Sequence, residues 1–435
     1  MKVALVCDWL TNVGGAEKVL LELHQMYPKA PIYTSKYSKK GIDWFDDADV
    51  RTGWLQIFPA KMRRLLGPLR QRWFSKLDLS EYDLIISVTG AEAKSVKSGK
   101  WLHAHGKKAV NPKGIHISFC HVPTQYYWQM YDDYVKDPGF SVLNPIVRFF
   151  FKLMVKPLKK ADFEAAQRPD YFITISEYAK GLIKRYYGRE AIVIHPPVEI
   201  DDFRVKAGPV STSFSEVMGL GTLECHTLDR GQNRPNGRTC PGRQEYTSQS
   251  SKSGLALRPQ KKTYCHPLSS EYYIITSRQV NWKRIDLAIK ACLKLGRKLM
   301  VVGEGPEHKK LVKLAERSDL IEFVPLVDKK KLAELLAGAK GYIFPSLEPF
   351  GIAPVEALAA GCPVIAFGEG GALDYVEDGK NGVLFEKQTV KSLAEAMTRF
   401  EGMKFDRMKV SKSADGYSVK RFEKEMKDFV DEKVG

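Results

Sequence analysis

The chain has 435 residues, 44% of them hydrophobic and 27% charged, an ordinary globular composition with room for two domains and two cores. No apolar run reaches the ~20 residues that cross a bilayer, which excludes a helical membrane span. The formal net charge of +17 narrows the partners to nucleic acid, an anionic membrane or a phosphorylated substrate.

Residues 1–10, MKVALVCDWL, have too short an apolar core for a secretion signal and no small-residue cleavage site, so a first buried strand is expected at Val3–Cys7. Gly14 and Gly15 follow and permit close backbone approach at a sheet mouth, although a tight turn also accounts for them. A helix is expected over Gly15–Tyr27. Asp47 and Asp49 form a DxD-like pair, but in a polar run away from any strand end. Next, Lys61, Arg63, Arg64, Arg70, Arg72 and Lys76 interleave with Leu65, Leu66, Leu69, Trp73, Phe74 and Leu77. Such a stretch suits an anionic membrane surface, and equally a helix with an apolar core face and solvated charges.

Strands are expected at Leu84–Val88, Ile115–Cys120, Tyr171–Ile175 and Ala191–Ile194, with a helix at Glu177–Tyr187. His121 closes the second of these strands; His195, in IHPP, is given a structural role. A second basic stretch, Ile146–Lys160, sets Arg148, Lys152 and Lys156 at four-residue spacing beside Phe149, Phe150 and Phe151. Residues 205–268 are rich in Ser, Gly, Arg and Thr without periodicity and are expected to be a low-order insertion. Cys225, Cys240 and Cys265 lie there, with His226 and His266, at spacings that match no common zinc pattern. Seven cysteines without a framework imply a reducing compartment.

The alternation then resumes. Strands are expected at Tyr272–Thr276, Lys298–Val302, Leu320–Val324, Gly341–Phe344 and Pro363–Phe367, and helices at Arg284–Leu295, Lys329–Ala337 and Tyr417–Val430. The fold class is therefore α/β, two parallel-sheet domains in series. Their expected limits are 1–203 and 270–416, separated by 204–269 and closed by a helix at 417–435 that packs back on the first domain.

The densest segment is Gly341–Phe367, GYIFPSLEPFGIAPVEALAAGCPVIAF, a strand–loop–helix–strand unit. Ser346–Ala353 is expected to be loop, Pro354 to stand in the first helical turn and Gly361 at the helix end. Ligands bind in the loop after such a strand, and free N–H groups before a helix accept phosphate. Glu348 and Glu356, on either side, accept hydrogen bonds from hydroxyls, so the ligand carries phosphate and sugar. The helix dipole favours a glutamate in a first turn without any ligand. That accounts for Glu356 but not for Glu348, Phe350 and Gly351. Arg278 and Lys283 follow a strand at a separation that lets both point over one sheet edge, where two cations stabilise a leaving diphosphate.

Together these segments resemble the retaining nucleotide-sugar glycosyltransferases of family 4, which have the GT-B fold. EPFGIAPVE (Glu348–Glu356) is similar to the family's paired-glutamate signature, and SRQVNWKRIDLAIKA (Ser277–Ala291) to its diphosphate-binding stretch. GGALDYVEDGKNGVLF (Gly370–Phe385), GGAE (Gly14–Glu17) and SFCHVPTQYYW (Ser118–Trp128) resemble further family segments, the last carrying the active-site histidine. The resemblance covers 1–203 and 270–435. It implies that His121, Arg278, Lys283 and Glu348 serve catalysis. It further implies that Glu348 holds sugar hydroxyls, Glu356 the ribose, and the N–H groups of Phe350, Gly351 and Ile352 phosphate or sugar. Glu304 and Gly305 would enclose the nucleoside, and Gly14 and Gly15 approach the donor. Ser277 stands where the family has glycine, and Gln125 where an arginine is common.

The expected activity is hexosyl transfer, with mannose by family likeness, from a nucleoside diphosphate sugar to a glycan or lipid-linked acceptor hydroxyl, with retention by a front-face route. No required metal or other cofactor is expected, and the expected place is the cytoplasm, at an anionic membrane face, in polysaccharide or glycolipid synthesis. Competing readings are an epimerase or phosphorylase on the same fold, an inactive scaffold, and a nucleic-acid-binding protein, for which no recognisable motif speaks.

Overall fold

The computed structural model describes residues 1–59, 66–136, 144–204, 272–316 and 318–434. The segment 205–268 with its cysteines and histidines, and also Lys61, Arg63, Arg64 and Leu65, lie outside the described residues.

Thirteen strands, among the described residues, make two sheets. The first contains β1 (Val3–Cys7), β2 (Ile32–Thr34), β3 (Val50–Thr52), β4 (Leu84–Thr89), β5 (Ile115–Cys120), β6 (Tyr171–Thr174) and β7 (Ile192–Val193), in the spatial order β3-β2-β1-β4-β5-β6-β7. The second contains β8 (Tyr272–Thr276), β9 (Lys298–Val302), β10 (Ile321–Val324), β11 (Gly341–Phe344), β12 (Val364–Phe367) and β13 (Gly382–Phe385), in the order β10-β9-β8-β11-β12-β13. Every neighbouring pair is parallel. β1, β4 and β5 are buried throughout; β1 accordingly reads as a continuous apolar run, whereas β5 also buries the polar His116 and Ser118. The expectations omitted β2, β3 and β13.

Each sheet reverses its strand order once, between β1 and β4 and between β8 and β11. Crevices open at the carboxyl ends of strands at such reversals. In the second sheet the helix Ile285–Leu295 buries Ile285, Ala288, Ile289 and Cys292 in a core shared with Tyr273, Val301, Ile343 and Ile365. That packing fixes the loop between β8 and the helix.

The C-terminal helix Val419–Val434 buries Phe422, Met426, Phe429 and Val430, a stripe of helical period. Its ring contacts are with the first sheet: Phe422 to Phe119 and Phe429 to Tyr171, each with centroids 5.9 Å apart. Arg421 donates to the carbonyl of His195 at 3.1 Å.

Two local expectations are corrected. The helix after β11 starts at Ile352, not after Ala353, because Pro354 as third helical residue lies among positions whose N–H has no intrahelical acceptor anyway. Glu356 consequently sits in the second turn, and the first-turn dipole account of it lapses. The helix Gly67–Lys76 does not present all its cations outward: Arg70 and Phe74 are buried. Among the described residues, no helix is long and apolar enough to cross a membrane.

Candidate active site

The loop after β8 ends in a short turn at Asn281–Lys283, and Arg284 in the left-handed region (φ 52°) redirects the chain into its helix. Lys283 is thereby brought to the loop after β11. Its Nζ lies 2.6 Å from Glu348 Oε1, which also accepts from Ser346 Oγ at 2.7 Å. The ammonium rests 4.3 Å from the Trp282 ring centroid. The backbone N–H of Gly371 donates to the Glu348 carbonyl at 2.8 Å and supports the loop from the other side.

Gly351 is required where that loop enters its helix. Its φ is +94°, and a Cβ would stand 2.6 Å from the Phe344 ring and 2.9 Å from the Tyr375 hydroxyl. The same hydroxyl donates to the Phe350 carbonyl at 2.8 Å. The first-turn N–H groups that follow have no acceptor within their own helix, and Gly351, Ile352 and Ala353 border the cleft.

The facing wall comes from the first sheet. Gly15 is exposed, and a Cβ there would approach Ile352 Cδ1 to 3.2 Å, so a larger residue crowds the opposite wall. The Glu17 carboxylate lies over Gly14, 2.7 Å from the place of a Cβ. His121 donates its backbone N–H to the Thr89 carbonyl at 2.9 Å and sets its ring edge-on to Phe119, with centroids 5.5 Å apart. Its Nε2 is buried without a hydrogen-bond partner, and burial pushes the imidazole pKa down to about 4. The ring is therefore neutral at physiological pH.

Three buried polar clusters hold this wall. The Asp8 carboxylate, just beyond β1, accepts from Thr89 Oγ1 at 3.0 Å, Gly90 N at 2.9 Å and Ala93 N at 2.7 Å. Asp162, on the helix Asn144–Ala165, accepts from Lys94 Nζ at 2.6 Å, Thr124 Oγ1 at 2.7 Å, Trp128 Nε1 at 2.7 Å and Tyr187 Oη at 2.8 Å. Thr124 and Trp128 belong to the segment that begins at His121, so this carboxylate fixes the histidine loop. Arg70 pairs with buried Glu92 at 2.9 Å, and Tyr126 donates to the same carboxylate at 2.6 Å.

A cleft of about 700 Å³ lies between the walls. Gly15 and His121 line it from one side, and Lys283, Glu348, Phe350, Gly351 and Ile352 from the other. Gly14 adjoins it. Glu356 is largely buried; burial raises its pKa, while Lys18 Nζ, 3.6 Å away, acts in the opposite direction. Arg278 is exposed and stands outside the lining residues, so the structure does not bring it beside Lys283. Glu304 is also exposed; its carbonyl accepts from Gln279 N at 2.8 Å, and Gly305 is pressed against the Gln279 backbone. Asp49 pairs with Arg51 at 2.7 Å and Asp47 faces the buried His24 Nε2 at 3.5 Å, so each aspartate has a side-chain partner away from the cleft.

Several residues went unrecognised in the sequence. Gln279 is fully buried, donates to the Gly303 carbonyl at 2.5 Å and meets His308 Nδ1 at 2.8 Å, tying together the loops after β8 and β9. His195 stacks on Phe350 with centroids 5.6 Å apart, and its Nδ1 lies 3.6 Å from Asp374. It braces the cleft loop of the other sheet rather than its own strand alone. Its position after a strand, before two prolines, was the signal available.

Residues 259–416 match the family described as Glycosyl transferases group 1. Human alpha-1,3/1,6-mannosyltransferase ALG2 is 32% identical over 124 residues, 28% of this chain and 29% of the relative. Glycogen synthase from Thermus thermophilus is 29% identical over 178 residues, 38% of each chain. The chain thus spans less than two fifths of the length of these curated relatives. The crystal structure of HepE from Anabaena, in complex with UDP, superposes with a TM-score of 0.63 at 18% identity, over 99% of this chain and 100% of that one. Sucrose-phosphate synthase from Thermosynechococcus elongatus gives 0.64 at 15%, over 99% of both. The likeness over both sheets makes the fold GT-B.

Proposed function

We propose, for a chain whose residues 259–416 match the group 1 glycosyl transferases, that the cleft transfers a hexose from a nucleoside diphosphate sugar to an acceptor hydroxyl. The observation that carries this reading is the Lys283–Glu348 pair, 2.6 Å apart, across the cleft from the unpartnered Nε2 of His121. In this reading Lys283 and the N–H groups at Gly351 and Ile352 take the diphosphate, whose charge grows as the bond to the anomeric carbon breaks. Glu348 accepts from sugar hydroxyls, and Glu356, held beside Lys18, from the ribose. Neutral His121 bonds a hydroxyl of the donor sugar or the acceptor.

The acceptor oxygen forms the new bond to the anomeric carbon on the face from which the diphosphate leaves, and its proton passes to the departing phosphate oxygen. Configuration is retained and no metal is required. Positioning and electrostatic stabilisation account for the rate. Arg278 meets the diphosphate only if its exposed side chain turns inward. Mannose is favoured by the stretch shared with ALG2, and an anionic, lipid-linked acceptor in envelope glycolipid or polysaccharide synthesis by the basic amphipathic helix.

The test is a thermal-shift screen of nucleoside diphosphate sugars, followed by an acceptor-dependent transfer assay. A donor present at a hundredfold its Kd adds about 2.7 kcal/mol of stability. One nucleotide sugar should raise Tm, and Lys283→Ala should abolish that rise. If no nucleotide sugar raises Tm and none is consumed, the reading falls.

A further inference from the structure

The helix Asn144–Ala165 is built inside out for a surface helix. At about 100° per residue, Ile146, Phe149, Phe150, Leu153 and Met154 share an arc of roughly 140°. That arc faces solvent: Ile146 is 58% exposed, Phe149 66%, Phe150 57% and Leu153 64%. The buried residues Val155 and Asp162 lie on the opposite side. Lys152, Lys156 and Lys160 follow one edge of the apolar arc, and all three are exposed. An amphipathic helix ordinarily turns its apolar stripe to the core; here the stripe is turned away from the core and bordered by cations.

We propose that this helix docks the protein on an anionic phospholipid surface, with Phe149, Phe150 and Leu153 among the acyl chains and the three lysines at the headgroups. Charge selects the occupant: the cations stand at the margin of the apolar arc, where headgroup phosphates lie, and the chain carries a net +17. The two basic stretches of the sequence differ here. The described part of the first turns Arg70 and Phe74 into the core, whereas the second leaves Phe149 and Phe150 exposed.

The inner face of the same helix gives the docking a purpose. Asp162 receives the hydrogen bonds of Thr124 and Trp128, in the loop that follows His121. Docking thus sets the histidine wall of the cleft at a fixed height above the lipid. That orientation suits an acceptor whose sugar-bearing head stands out of the bilayer. This last step rests on the lipid-linked acceptor proposed above; the docking does not.

The experiment is flotation of the full chain with vesicles of phosphatidylcholine, with and without phosphatidylglycerol, at low and high salt. Binding should be at least about tenfold stronger on the anionic vesicles and weaken with salt. The triple variant Phe149→Ser/Phe150→Ser/Leu153→Ser and the triple variant Lys152→Glu/Lys156→Glu/Lys160→Glu should each lower it by roughly a hundredfold. Both should keep the wild-type Tm and its shift with nucleotide sugar, since none of the six residues lines the cleft. Equal binding by wild type and the lysine variant overturns the proposal. So does a wild-type dimer that the serine variant turns into a monomer, which would make the arc a contact between two copies. If vesicle binding holds while no nucleotide sugar shifts Tm, the donor reading fails and the docking stands.

Discussion

Both sheets reverse their strand order beside the same cleft, but their walls are held there by different means. In the C-terminal wall Ser346 and Glu348 are two positions apart, and Lys283 reaches them from the neighbouring loop of the same sheet. The supports include backbone ones, a left-handed Gly351 and the N–H of Gly371 under Glu348, together with the Tyr375 hydroxyl and the His195 ring against Phe350. In the N-terminal wall the histidine loop depends on Asp162, 38 positions beyond Thr124, and on Lys94, 68 positions before Asp162. Removing a functional group from the first wall touches a surface that the fold does not need. Removing one from behind the second leaves a buried charge alone.

That difference is open to being broken, and the largest effect is expected in the N-terminal half. Asp162→Ala leaves the fully buried Lys94 ammonium without its counter-charge, a change that costs about 3–5 kcal/mol. The melting temperature should fall by roughly 5 °C. Asp162→Asn, which keeps an acceptor for Thr124 or Trp128, should lose less. A Tm within about 2 °C of wild type for the alanine variant would show that this wall does not lean on the cluster. Lys283→Ala should do the reverse. Transfer should drop by about a hundredfold to a thousandfold, as when one transition-state donor is removed, with Tm changed little because Glu348 keeps its bond from Ser346. A destabilisation as large as that of Asp162→Ala would make the two walls alike.

The same contrast decides what the sequence discloses. Lys283, Glu348 and Gly351 were legible because each lies a few positions past a continuous apolar strand, where the chain direction already locates the site. β2 and β3 were not, being three residues each and too short to show a period. Asp162, Lys94 and Glu92 carry ordinary helical or loop patterning, and nothing local says that their partners lie tens of positions away. Arg70 was read as an outward cation, membrane-facing or solvated, for that reason: periodicity marks it as polar, but only the fold places buried Glu92 beside it. The Arg278 expectation stretched local reasoning too far, since a loop separation does not settle which of two cations turns inward.

The smallest expected effect tests a place where the two walls share a charge. Lys18, from the helix Gly15–Met26, stands 3.6 Å from Glu356 and 3.5 Å from Glu199. Burial raises the Glu356 pKa and Lys18 opposes that rise, so Lys18→Ala leaves the carboxyl group easier to protonate. If the ionised carboxylate is what holds the donor ribose, the variant loses donor affinity sooner than wild type as pH falls. The two converge at alkaline pH, where Glu356 is ionised in both. With Lys18 partly exposed and the pair partly screened, the difference in KM should be about twofold to fivefold near pH 6, with kcat nearly unchanged. KM measured from about pH 5 to about 8 decides it. Parallel profiles would mean that Glu356 does not meet the donor as a carboxylate, and the donor site would then belong to the loops after β8 and β11 alone.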